Sequence, residues 1–145
     1  MLVEYARNVL GVTAAEHAET SPDADTLVVT PLECSLVGQA HRVAIVPGSR
    51  AASLYGGAEA VEDYYCNYGL NPDHRPSLEA AGMRVTGIDD DGEVRIVELD
   101  GHPFFVATLF CFQTRSRPET PHPLVSGFVE AARARHARVH SAPEL

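Results

Sequence analysis

The chain contains no lysine. Its eleven basic residues are arginines scattered from Arg7 to Arg138, set against twenty acids for a formal net charge of −9. No basic face is available on which a phosphate backbone could lie, which excludes nucleic acid as a partner. Long hydrophobic runs are also missing. The longest uncharged apolar stretch, residues 103–112, has the length of a buried strand and falls far short of the roughly 20 residues of a membrane span, so no membrane partner is expected. Cysteine is scarce, odd in number and widely spaced, at Cys34, Cys66 and Cys111. That excludes a disulfide framework and a C-x-x-C metal knuckle, and reduced thiols are the expectation. Glu4 and Arg7 follow closely on Met1, so no secretory leader is read and the cytoplasm is the expected compartment.

What is present suits one modest domain. With 145 residues and 45% hydrophobic content, the chain buries a real but not generous core. Leu2, Val3, Ala6, Val9 and Leu10 recur at helical spacing and Gly11 stops them, so the chain is read as opening inside a helix. Strands are predicted at residues 27–29 and 43–46, and Ser49 caps a short helix that Gly56 and Gly57 end. The aromatic run from Tyr64 through Cys66 and Asn67 to Tyr68 has strand preference. Asn71-Pro72-Asp73 then turns the chain into a helix over 76–81. Residues 83–88 and 93–99 flank Asp89-Asp90-Asp91-Gly92 as a hairpin, whose acids read as solvated turn residues. Residues 104–110 are uninterruptedly apolar and predict a strand in the middle of a sheet. The last helix, over 124–137, places Leu124, Phe128 and Ala131 on one stripe. The pattern is α/β. Residues 1–138 are expected to form the domain and 139–145 a disordered tail.

Three segments together resemble the class I glutamine amidotransferase end of the CTP synthases. They are Glu4-Tyr5-Ala6-Arg7-Asn8-Val9; Asn71-Pro72 with Leu78-Glu79-Ala80-Ala81-Gly82; and His102-Pro103-Phe104-Phe105-Val106-Ala107-Thr108. The series continues in family order through Ser116-Arg117-Pro118 and His122-Pro123-Leu124 to Gly127-Phe128-Val129. Within that neighbourhood the chain looks closest to small proteins related to the C-terminal region of CTP synthase, some of which carry selenocysteine. The resemblance implies the C-terminal part of a flavodoxin-like or Rossmann-like sheet, with a β-hairpin, lacking the first strands and the nucleophile elbow.

In that family a cysteine on a tight strand-to-helix turn attacks glutamine, activated by a histidine that a glutamate orients. The resemblance places that turn before Met1, outside this sequence. The family's histidine and glutamate fall, in ungapped register, at Cys111 and Gln113. A thiol releases its proton near pH 8.5 and does not hold it as an imidazolium does, and an amide cannot stabilise a charged base. The arginine that meets the substrate carboxylate falls at Asn67, beside Tyr68 and Cys66, so that clamp is also lost. Glutaminase activity is therefore not expected. CTP synthesis would need a domain for ATP and UTP that this sequence does not contain.

The expectation is a degenerate binding or regulatory module, or part of a longer protein. Its expected partners are a chain or N-terminal half covering the exposed edges of a parallel sheet, together with a small-molecule ligand. The alternative is a thiol or redox protein using Cys111 with Cys66. No cofactor is implied. No metal is assigned either, because only His136 and His140 are spaced i, i+4 and both lie near the expected tail. Gly56-Gly57 and Pro47-Gly48-Ser49 lack the spacing and the lysine of a phosphate loop and read as turns.

Overall fold

The computed structural model of the chain describes residues 1–140. In order these form α1 (Leu2–Asn8), β1 (Glu16–His17), β2 (Leu27–Pro31), β3 (Gln39–Ile45), α2 (Arg50–Tyr55), β4 (Glu59–Tyr64) and β5 (Tyr68–Leu70). A 3-10 turn over Pro72–His74 then leads into α3 (Arg75–Ala80), β6 (Met83–Ile88), β7 (Val94–Leu99) and β8 (Val106–Thr108). A second 3-10 turn over Phe112–Arg115 precedes α4 (Pro123–His140).

Five strands make one sheet in the order β4-β3-β6-β7-β8, and three make a second, β1-β2-β5. The larger sheet is antiparallel throughout, and β1 with β2 is the one parallel pair among the described residues. The expected parallel sheet is corrected on this point. Consecutive strands such as β6 and β7 are joined by connections too short for a parallel crossover.

Alternation along the strands divides the interior into two cores, because successive side chains point to opposite faces of a sheet. Val43, Ile45, Tyr64 and Ile96 pack with Ala51 of α2 and Leu124 of α4. Met83 and Val97 pack with Ala6 of α1 and Leu78 of α3. Helices therefore cover the larger sheet on both sides.

The apolar run 104–110 is corrected by the same division. A place at the centre of the sheet is expected of it, yet it contributes the three half-buried residues of β8 on the sheet's edge, paired among the described residues with β7 alone. Phe105 and Ala107 pack against one core, whereas Val106, Leu109 and Phe110 join the other. A segment that feeds two cores reads as continuously apolar without being central.

Ser49 Oγ accepts from the Ala52 N–H at 3.0 Å, and Gly56 ends α2 in the left-handed conformation, both as the sequence predicts. The last helix differs. Leu124 and Gly127 are its buried residues, while Phe128 is 59% exposed and makes an edge contact with Phe104 at 5.8 Å. Val139 and His140, expected in the tail, continue the helix, since the arginines and alanines before them are good helix formers. The remainder of the expected tail lies outside the described residues. No helix among the described residues is long and apolar enough to cross a membrane.

Candidate functional site

A cavity of about 400 Å³ opens between the two sheets, with walls from α1, β2, β5, β7 and β8. Cys66, Asn67 and Tyr68 all lie on it. They do not form the continuous strand that their aromatic neighbours suggested, because β4 stops at Tyr64 and β5 begins at Tyr68. The intervening carbonyls turn instead to the loop before β3. Cys66 O accepts from the Leu36 N–H at 3.3 Å and Asn67 O from the Leu32 N–H at 2.8 Å. That detour brings the three residues to the cavity. Tyr68 rests against His17, with ring centroids 5.1 Å apart. Burial pushes the half-buried Cys66 thiol above its ordinary pKa; Cys111 and Glu19 add to the shift and Arg95 opposes it. The neutral thiol is thus favoured over the nucleophilic thiolate.

Cys111 and Gln113 are positioned separately and do not line this cavity. Cys111 follows the end of β8. Its N–H donates to Asp63 O at 2.9 Å, and its carbonyl accepts from the Thr114 hydroxyl at 2.8 Å. Gln113 is exposed on the following 3-10 turn, and no hydrogen bond joins the two side chains among the described residues. Nearby, Asp63 accepts from Arg115 Nη2 at 2.6 Å, which holds its carboxyl below the usual range.

Two buried clusters lie outside the sequence reading. In the first, Arg95 is 4% exposed, and its Nε and Nη2 donate to Asp89 Oδ2 at 2.8 and 2.5 Å. Asp89 Oδ1 accepts from the N–H groups of Asp91 and Glu93 at 3.1 and 2.9 Å. Asp89 is therefore not a solvated turn acid, which corrects the expectation for that residue. It folds back under its own hairpin, where it neutralises the guanidinium that β7 buries beside it. Arg95 Nη1 has no hydrogen-bond partner among the described residues, and Arg95 lines the cavity. The one available signal was an arginine within the apolar alternation of 94–99.

In the second cluster, Glu62 Oε1 accepts from Tyr55 Oη at 2.6 Å and meets His122 Nε2 at 2.9 Å. Burial and the Glu62 carboxylate drive the Tyr55 phenol far above its ordinary pKa. His122 Nδ1 accepts from the Leu124 N–H at 3.2 Å, so the ring presents Nε2–H to Glu62 and caps the start of α4. Both clusters are internal. Among the described residues, no three His, Cys, Asp or Glu side chains are grouped so as to hold a metal ion.

The fold is that of the class I glutamine amidotransferase, or glutaminase, domain. It superposes on the glutaminase domain of Trypanosoma brucei CTPS, solved with bound acivicin, with a TM-score of 0.82 and 27% identity over 91% of this chain and 56% of that one. A GMP synthase subunit from Thermoplasma acidophilum shares the fold at a TM-score of 0.52 and 15% identity, over 76% of this chain and 51% of that one. Within this class the homologues are CTP synthases. That of Pyrobaculum aerophilum is 38% identical over 90% of this chain, and that of Bifidobacterium longum 36% identical over 91%. The chain spans 27% of the length of each of these curated relatives. No family model matches it.

Proposed function

We propose that this chain is a CTP synthase-type glutaminase-fold unit that does not hydrolyse glutamine and serves as a binding or regulatory module, completed by further residues of a longer polypeptide or by a partner. The placement of Cys111 and Gln113 carries the reading. These residues stand where the family resemblance puts the base and its orienting carboxylate, yet Gln113 is exposed and the two side chains share no hydrogen bond. A base with no group to hold and stabilise it does not activate a nucleophile. Asn67, at the position of the family's carboxylate-binding arginine, offers an uncharged amide in place of a guanidinium.

Ammonia release from L-glutamine by the purified chain tests the reading. No release above the buffer rate is expected. Glutamine turnover that disappears in Cys111→Ala would overturn it.

A further inference from the structure

Sequence alone sets the i, i+4 pair His136 and His140 aside because both lie near the expected tail. The structure removes that ground. Both belong to α4, which continues through His140, and both are exposed there. Their ring centroids lie 4.0 Å apart, with the planes tilted by 39°. One further contact fixes how His140 presents itself, since its Nδ1 lies 2.9 Å from the His136 carbonyl oxygen. A carbonyl only accepts. Nδ1 therefore carries the proton and donates it, which leaves the lone pair of the neutral ring on the outer nitrogen, Nε2. Metal-binding histidines are almost always held in this way, the second ring nitrogen donating to a carbonyl, a carboxylate or water.

We propose that His136 and His140 together bind one divalent transition-metal ion, of the class of zinc, nickel and copper, through one imidazole nitrogen each. Two nitrogens bound to one ion at about 2.0–2.1 Å lie roughly 3 Å apart, a spacing that rings 4.0 Å apart reach by side-chain rotation. Water fills the ion's other positions. The ligand type decides the metal class, because imidazole suits zinc, nickel and copper, whereas magnesium and calcium take oxygen ligands. Charge near the pair acts in both directions. The last carbonyls of α4 and the net charge of −9 favour a cation at this end of the helix. Arg133, Arg135 and Arg138 oppose one, Arg133 most directly because it lies one turn from His136 on the same face. The ion bridges successive turns, so its binding also favours the helical state of an exposed helix end.

The test titrates the full chain with zinc chloride and follows the imidazole NMR signals of all seven histidines. A Cys34→Ser background removes the exposed thiol as a competing ligand. The rings of His136 and His140 are expected to shift together and ahead of the other histidines, and magnesium chloride is expected to leave both unmoved. His136→Ala and His140→Ala change exposed positions and leave the fold intact. Each should weaken zinc binding at the remaining ring roughly tenfold or more, because the second bond of the chelate is lost. The proposal is overturned if zinc moves other histidines first, if either single variant binds zinc at its remaining ring as tightly as the parent, or if magnesium shifts the pair as zinc does. This site stands apart from the cavity, so glutamine turnover strikes the functional reading and leaves the metal assignment to these titrations.

Discussion

Replacing Glu98 by glutamine should destabilise the fold by about 2–4 kcal/mol, although the two side chains are nearly the same shape. Glu98 is 3% exposed and reaches from near the end of β7 to the start of α2. Its Oε2 accepts from the Arg50 N–H at 3.0 Å, while Oε1 accepts from the Ala51 N–H at 2.8 Å and the Thr86 hydroxyl at 3.0 Å. Glutamine keeps one acceptor oxygen. Whichever way its amide is turned, an NH₂ group faces a helix N–H, and one donor is left buried without a partner. Losing a hydrogen bond to a charged group costs about 1.5–3 kcal/mol, and the orphaned N–H adds roughly 1–3. Loss of a negative charge at the helix start adds about 0.3–1 kcal/mol. Relief from burying a carboxylate offsets part of this total. In a chain of this size the net change lowers Tm by roughly 5–15 °C. Urea unfolding monitored by circular dichroism gives the free energy, with the exposed Glu119→Gln as a control expected within about 0.5 kcal/mol of the parent. A Glu98→Gln change no larger than that control would refute the account of this carboxylate.

Three further outcomes follow from the same geometry. Asp63 titrates below its ordinary 3.8 because Arg115 donates to it; its pairing therefore stabilises the fold above that pH and is lost as pH falls through the folded value. Carbon-detected NMR should show Arg115→Met returning the Asp63 midpoint toward 3.8. In mildly alkaline buffer, iodoacetamide should label exposed Cys34 ahead of Cys66, whose pKa burial raises, and peptide mass spectrometry that finds Cys66 labelled first would contradict this. Gly87→Ala would drive a Cβ to 2.5 Å from Ile96 Cγ1 at the centre of a core, costing about 1–3 kcal/mol in urea unfolding.

Local chemistry was readable wherever neighbouring residues decide it. Ser49 as a cap, the 76–81 helix and the hairpin around Asp89–Gly92 depend on residues a few positions apart, and the structure reproduces each within a residue or two. The position of a strand within its sheet was not readable. Residues 104–110 are apolar throughout, and composition alone cannot separate a strand covered on both faces from a segment that crosses between two cores.

The cavity was half readable for a related reason. Cys66, Asn67 and Tyr68 were singled out through the family resemblance, and all three reach it. Arg95 was not, although among the described residues it is the only arginine on that lining. Its burial against Asp89 is set by the fold, which the alternation of residues 94–99 does not disclose. The acid beside it reads as solvated, since a run of three aspartates in a turn usually is. Only the fold shows that Asp89 points inward while Asp91 and Glu93 lend it their amides. Together the two positions suggest how the pocket differs from that of a glutaminase. The family resemblance puts an arginine for a carboxylate at the position of Asn67, and the one arginine among the described residues on the lining, Arg95 of β7, has its charge balanced by Asp89. Restoring an arginine at Asn67 should therefore turn the pocket's preference toward carboxylates while leaving Arg95 in place. In an NMR titration that follows the backbone amides of Tyr68 and Gly69, Asn67→Arg should strengthen binding of the cyclohexanecarboxylate ion relative to cyclohexanecarboxamide, and an unchanged ratio would show that charge at this position does not govern what the pocket takes.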